Sequence, residues 1–141
     1  MAHSRRQALG QHFLADASVA ARIVETVGAT GDDVVCEIGA GRGALTWPLA
    51  ARAGRVVALE IDPALHGALQ PGVGRWPNVE LRQADARTFA YETLREQRPA
   101  PAGRVLVAGN LPYSASKPIL ARLFAARAVI GAVTEIGRAH V

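Results

Sequence analysis

The chain has 141 residues, half of them apolar and a fifth charged, which is enough for one packed core and too apolar for a disordered tail. Its one cysteine, Cys36, excludes an internal disulfide; no apolar stretch approaches the ~20 residues of a membrane span, and the start MAHSRRQALGQHFL lacks the apolar centre of a signal peptide, so a cytoplasmic protein is expected. Sixteen Lys and Arg against twelve Asp and Glu leave a formal charge of +4, which suits a polyanionic partner and equally an Arg-rich composition with no such partner.

In chain order, residues 16–28 form the first helix-like stretch, with Asp16 and Ser18 as candidate caps. Residues 34–39 (VVCEIG) read as a buried strand, followed by a helix over 43–53. Residues 55–62 (RVVALEID) are a second strand, and Pro63 suits the first turn of a helix over 63–70. Residues 79–85 (VELRQAD) are a third strand, with a helix over 88–97 and a loop marked by Pro99 and Pro101. Residues 104–109 (RVLVAG) are a fourth strand, followed by a helix over 116–127. Alternation of short apolar strands with helices predicts an α/β domain, a parallel sheet with helices on both faces.

Ligands of open parallel sheets bind beyond the carboxyl ends of the strands, so the four strand ends belong together. They are Glu37-Ile38-Gly39-Ala40-Gly41-Arg42-Gly43, Glu60-Ile61-Asp62, Asp85-Ala86 and Asn110-Leu111-Pro112-Tyr113. Glycines at alternate positions permit positive φ and close approach of a ligand to the backbone. Their spacing, G-x-G-x-G, is not the G-x-G-x-x-G of dinucleotide binding, and no Gly-Lys-Ser/Thr signals a phosphate loop. Glu60, twenty-one residues after Gly39, is suited to accept from both hydroxyls of a ribose. Asp85 is suited to accept from an adenine amino group, between apolar walls from Ile61 and Ala86. Ribose and adenine without phosphate point to S-adenosylmethionine; no metal site is indicated. Taken singly, each of these residues reads as well as a turn glycine, a helix cap or a solvated carboxylate.

The fourth end carries chemistry. An adenine 6-amino nitrogen is a poor nucleophile, because its lone pair is delocalised into the ring. Two acceptors aimed at its N–H bonds favour the pyramidal form; the side-chain oxygen of Asn110 and the carbonyl of Pro112 suit that task. Tyr113 offers a flat face for a flipped-out base. Alignment for in-line displacement, not a strong base, then supplies most of the catalysis. Alone, this segment reads as a proline turn with a packed tyrosine.

Across about residues 5 to 134 the sequence resembles the ribosomal RNA adenine dimethyltransferase family. The resemblance rests on LGQHFL at 9–14, EIGAGRGALT at 37–46, LEID at 59–62, QAD at 83–85 and NLPYSASKPIL at 110–120. It implies a Rossmann-like class I methyltransferase fold, and cofactor contacts from His12, Leu14, Gly39, Glu60, Asp85 and Asn110, to which the strand-end reading adds Gly41, Ile61 and Ala86. It also implies a target adenine held by Asn110, Pro112 and Tyr113. LGQHFL together with SKPIL at 116–120 favours dimethylation of two adjacent adenosines near the 3′ end of small-subunit ribosomal RNA, on an immature 30S particle; a monomer is expected. The alternatives are the resistance enzymes of large-subunit RNA and a non-catalytic RNA-binding assembly factor; a dehydrogenase is disfavoured by the glycine spacing.

The family pattern continues beyond Thr134-Glu135, whereas this chain ends Ile136-Gly137-Arg138-Ala139-His140-Val141, a hexapeptide matching one reading frame of a sequencing adapter. Residues 1–135 are therefore read as a partial methyltransferase domain and 136–141 as a non-native tail. On that reading Val129, Ile130 and Val133 are exposed at an open sheet side, and this chain alone is a poor enzyme.

Overall fold

The computed structural model of the protein describes residues 16–111 and 113–136, except for the side chain of Tyr113. Its elements run α1 (Ala17–Val27), β1 (Val34–Ile38), α2 (Thr46–Ala50), β2 (Arg55–Leu59), α3 (Pro63–Val73), β3 (Val79–Arg82), a 3₁₀-helix (Tyr91–Gln97), β4 (Val105–Gly109), a 3₁₀ turn (Tyr113–Ala115), α4 (Ser116–Ala125) and β5 (Ala132–Glu135). The expected alternation is present, in a five-stranded sheet of order β3-β2-β1-β4-β5 in which each neighbouring pair is parallel. Strand order reverses between β1 and β4, and the crevice at such a point is where doubly wound sheets bind ligands.

Successive strand residues face opposite sides, and the core divides accordingly. Val35, Val56, Ala58, Leu106 and Ala108 pack with Val24, Leu49 and Leu69. Val34, Cys36, Ile38, Val57, Leu59, Val105 and Val107 pack on the other face with Tyr91, Leu94, Ile119 and Leu123. β1 is buried along its whole length, as a central parallel strand must be.

Element ends follow local chemistry. Asp16 caps α1 by accepting from the Ser18 N–H, and Gly28 closes it at φ 66°. Asp62 caps α3 through the Ala64 N–H, with Pro63 in its first turn. Several bounds differ from the sequence expectation. α2 covers 46–50 rather than 43–53, since Gly43 at φ 88° cannot be helical. α3 runs past residue 70 to Val73, with Pro71 in its final turn, where few helical hydrogen bonds remain to be lost. Residues 91–97 form a 3₁₀-helix rather than an α-helix; Tyr91 and Leu94, three apart and both fully buried, eclipse on such a helix. β2 and β3 stop at Leu59 and Arg82, so Glu60 and Asp85 lie in the turns beyond them.

At the far side, Val133 is 43% exposed, as expected. Val129 and Ile130 are instead partly buried against the core. Ile136 is buried, and its N–H donates to the Gly109 carbonyl at 3.0 Å; the rest of the proposed tail, 137–141, lies outside the described residues. Among the described residues no helix is long and apolar enough to cross a membrane.

Candidate cofactor and target site

The turn after β1 is tied to β2 by its own backbone: the Gly39 and Ala40 N–H groups both donate to the Leu59 carbonyl, at 2.9 and 3.0 Å. Gly39, Gly41 and Gly43 adopt φ of 74°, 58° and 88°, a region that side chains with a Cβ rarely enter. At Gly39 an added Cβ would lie 3.5 Å from the Asn110 carbonyl oxygen. The first and fourth strand ends therefore abut at the reversal point.

Glu60 joins this turn. It is 7% exposed; its Oε1 accepts from the Gly41 N–H at 2.8 Å and its Oε2 from the Asp62 N–H at 3.0 Å. Among the described residues no cation pairs with it. A carboxylate offers about four lone-pair positions, so two remain for a ligand. Beside it Ile61 is 57% exposed, an apolar surface next to a polar anchor, while Ala86 is buried in the core.

Asp85 already has a partner within the chain, Arg87. Its carboxylate accepts from the Arg87 N–H and from the Arg87 guanidinium, at 2.7 to 3.1 Å, and the Arg87 side-chain hydrogen bond holds its pKa below the ordinary value. Arg87 is half exposed and can swing away from a ligand that competes for Asp85. Asn110 is half-buried between β4 and the buried Leu111. Pro112 and the Tyr113 side chain lie outside the described residues, as do His12 and Leu14.

Two residues outside the predicted site set flank the glycine turn. Glu37, on the α2 side of β1, is 2% exposed and accepts from the Thr46 hydroxyl at 2.5 Å. Burial raises its pKa to about 7 against the opposing Thr46 hydrogen bond, and the nearby Glu60 charge adds to the rise. An acid inside an otherwise apolar strand is itself a signal, since a buried carboxyl needs a donor. Trp47 packs its indole against both Gly43 and Gly72, where it leaves no room for a Cβ, and so fastens the end of the glycine turn to α3. No pattern in the sequence marks that contact.

A family model described as "Ribosomal RNA adenine dimethylase" matches residues 2–136. The chain is 44% identical over 135 residues to the "Ribosomal RNA small subunit methyltransferase A" of Koribacter versatilis, covering 90% of this chain and 47% of that protein. Thus the chain spans about half the length of the curated relatives it matches. Among solved structures, the 23S rRNA methyltransferase ErmE superposes with a TM-score of 0.69 at 32% identity, over 84% of this chain and 44% of that one. An RNA methyltransferase from Salinibacter ruber, in complex with S-adenosyl-L-homocysteine, gives 0.57 at 27% identity, over 77% and 67%. The expected Rossmann-like methyltransferase fold is the one observed.

Proposed function

Because the chain belongs to the ribosomal RNA adenine dimethylase family, we propose that its strand-end site binds S-adenosylmethionine and that the protein dimethylates the 6-amino groups of two adjacent adenosines near the 3′ end of small-subunit rRNA. The observation that carries the proposal is Glu60: a buried carboxylate, met by backbone amides and by no cation among the described residues, beside a glycine turn and an exposed Ile61. Its two remaining lone pairs suit the hydroxyls of a ribose, and Ile61 suits the face of an adenine. Asp85, released from Arg87, accepts from the adenine amino group. His12 and Leu14, at the matching family positions, complete the cofactor set.

When bound, the sulfonium supplies an activated methyl group. The chain's own work is orientation. The Asn110 side-chain oxygen and the Pro112 carbonyl accept from the two N–H bonds of the target amino group, and Tyr113 stacks on its ring. The partner is the rRNA of an immature 30S particle, and the protein acts in the cytoplasm as a monomer. The relative in Koribacter carries a small-subunit name at 44% identity, whereas the large-subunit ErmE is 32% identical, which favours the small-subunit reading.

Methyl incorporation into immature small subunits and into large-subunit RNA separates the two substrates. Incorporation confined to large-subunit RNA overturns the reading. Asn110→Ala and Tyr113→Ala should each lower methyl transfer by about tenfold or more while changing cofactor affinity less. Equal losses in both would leave these residues without a target role.

A further inference from the structure

The ribose role proposed for Glu60 leaves its existing hydrogen bonds unexplained. Before any ligand arrives, each carboxylate oxygen already holds a backbone amide: Gly41, nineteen residues upstream, and Asp62, which caps α3. Those two amides belong to the turns that follow the adjacent strands β1 and β2, the tip of the glycine turn and the entry to α3.

Packing does not hold the turn's tip in place. The space around Gly41 is open, the nearest atom to an added Cβ being the turn's own Gly39 carbonyl oxygen at 3.9 Å, and Arg42 is exposed. Three other amides of the turn are committed elsewhere: Gly39 and Ala40 to Leu59, and Gly43 back to Ala40. Among the described residues, the Glu60 carboxylate is thus the tertiary tie of the Gly41 amide.

We propose that Glu60 is a positioning residue as well as a ligand, its carboxylate fixing the separation between the glycine turn and the start of α3 before the nucleoside enters. The proposal rests on the cofactor reading above only for the identity of the ligand. Glu60 has a geometric advantage over its near relatives. A glutamine offers one acceptor oxygen and turns an NH₂ group toward the second amide, and an aspartate is one methylene shorter. Neither satisfies both amides from the same backbone position. A pre-set crevice also lowers the ordering cost of binding, so loss of the tie weakens ligands that never touch the carboxylate.

Two measurements test this. In the ligand-free chain, amide hydrogen exchange at Gly41 and Asp62 is compared between the parent, Glu60→Ala and Glu60→Gln; loss of one hydrogen bond should speed Gly41 exchange in Glu60→Ala by about tenfold. Glu60→Gln should restore protection at one of the two amides and not the other. The second measurement is the affinity for a 2′,3′-dideoxy analogue of S-adenosylhomocysteine, which lacks the diol. Glu60→Ala should weaken that analogue by about fivefold, through the turn alone. Unchanged exchange at Gly41 in a variant that still unfolds cooperatively, or equal affinity of parent and variant for the diol-free analogue, overturns the positioning role. If Glu60→Ala does not fold, Glu60→Gln carries both tests. Should the parent bind neither S-adenosylhomocysteine nor its analogue, the cofactor reading fails, and the exchange data still decide the tie.

Discussion

Asp33 and Glu60 are both buried carboxylates that accept from backbone amides, and they stand at opposite ends of the same sheet. At the amino end, Asp33 takes the Thr30 N–H at 2.8 Å and the Arg104 N–H at 2.7 Å, and the Arg104 guanidinium closes on it at 2.7 Å. Burial alone would raise the Asp33 pKa; the Arg104 hydrogen bonds and the amides override it and bring the pKa down to about 2. At the carboxyl end Glu60 has its amides and no described cation. A charge answered within the chain is a clamp, here joining the approach to β1 to the approach to β4. One left unanswered beside an exposed apolar side chain is positioned for something outside the chain.

The sharpest way to break this contrast is Asp33→Ala. Removing a buried carboxylate that satisfies two backbone amides and a half-exposed guanidinium should cost about 3 kcal/mol of stability, read by denaturant unfolding, with little change in cofactor affinity for the molecules that remain folded. The pH dependence has a definite sign. The folded-state pKa is depressed, so the clamp's contribution is present above the ordinary Asp value of 3.8 and is lost as pH falls through about 2. The variant should lack that acid limb; a parallel acid loss in parent and variant would remove Asp33 from its role.

Glu37 should respond in the opposite sense. Its pKa is raised from 4.5 to about 7, so the folded state tolerates its proton better than its charge. Stability attributable to it is complete below pH 4.5 and falls as pH rises through 7, by at most about 3 kcal/mol. Glu37→Gln keeps an acceptor for Thr46 and should gain on the parent at pH 8 relative to pH 5. Chemical denaturation at the two pH values checks this, and an advantage that does not grow with pH counts against a protonated Glu37.

Glu60→Ala should invert the Asp33 result, lowering S-adenosylmethionine affinity by about 2 kcal/mol, or roughly 30-fold, while the unfolding midpoint moves little. Calorimetric titration beside a thermal scan reads both, and a large stability loss with unchanged affinity would make Glu60 a second clamp. The smallest effect belongs to the flank of α4. Phe124, 65% exposed and stacked by the Arg127 guanidinium, should tolerate Phe124→Ser within about 0.5 kcal/mol, measured by the same unfolding assay. A loss several times larger would mean that the face is covered.

Much of this was legible in the sequence because it depends on local pattern. Apolar β-branched runs gave four strands at nearly their observed starts, Asp16 and Pro63 marked helix starts, and the alternate glycines announced positive φ at Gly39, Gly41 and Gly43. What escaped is long-range. The Asp33–Arg104 clamp spans seventy-one residues, and no spacing rule connects the two. The Thr46 hydroxyl finds Glu37 only once α2 packs on β1, and the Trp47 indole meets Gly72 only once α3 lies beside it. Arg87 carries no sequence signal for another reason: its fork on Asp85 is a two-residue contact whose importance appears only beside a site.

On the proposed reading the ligand site lies at the carboxyl end of the sheet and is built around Glu60. Titration of the isotope-labelled chain with S-adenosylhomocysteine, followed through its backbone amides, tests it most directly. Saturable shifts are expected at Gly39, Gly41, Ile61, Ala86 and Asn110, with Thr30, Gly54 and Arg104 at the amino end unmoved. Saturable shifts centred on the amino end, or none at millimolar ligand in a chain that is folded, would contradict it.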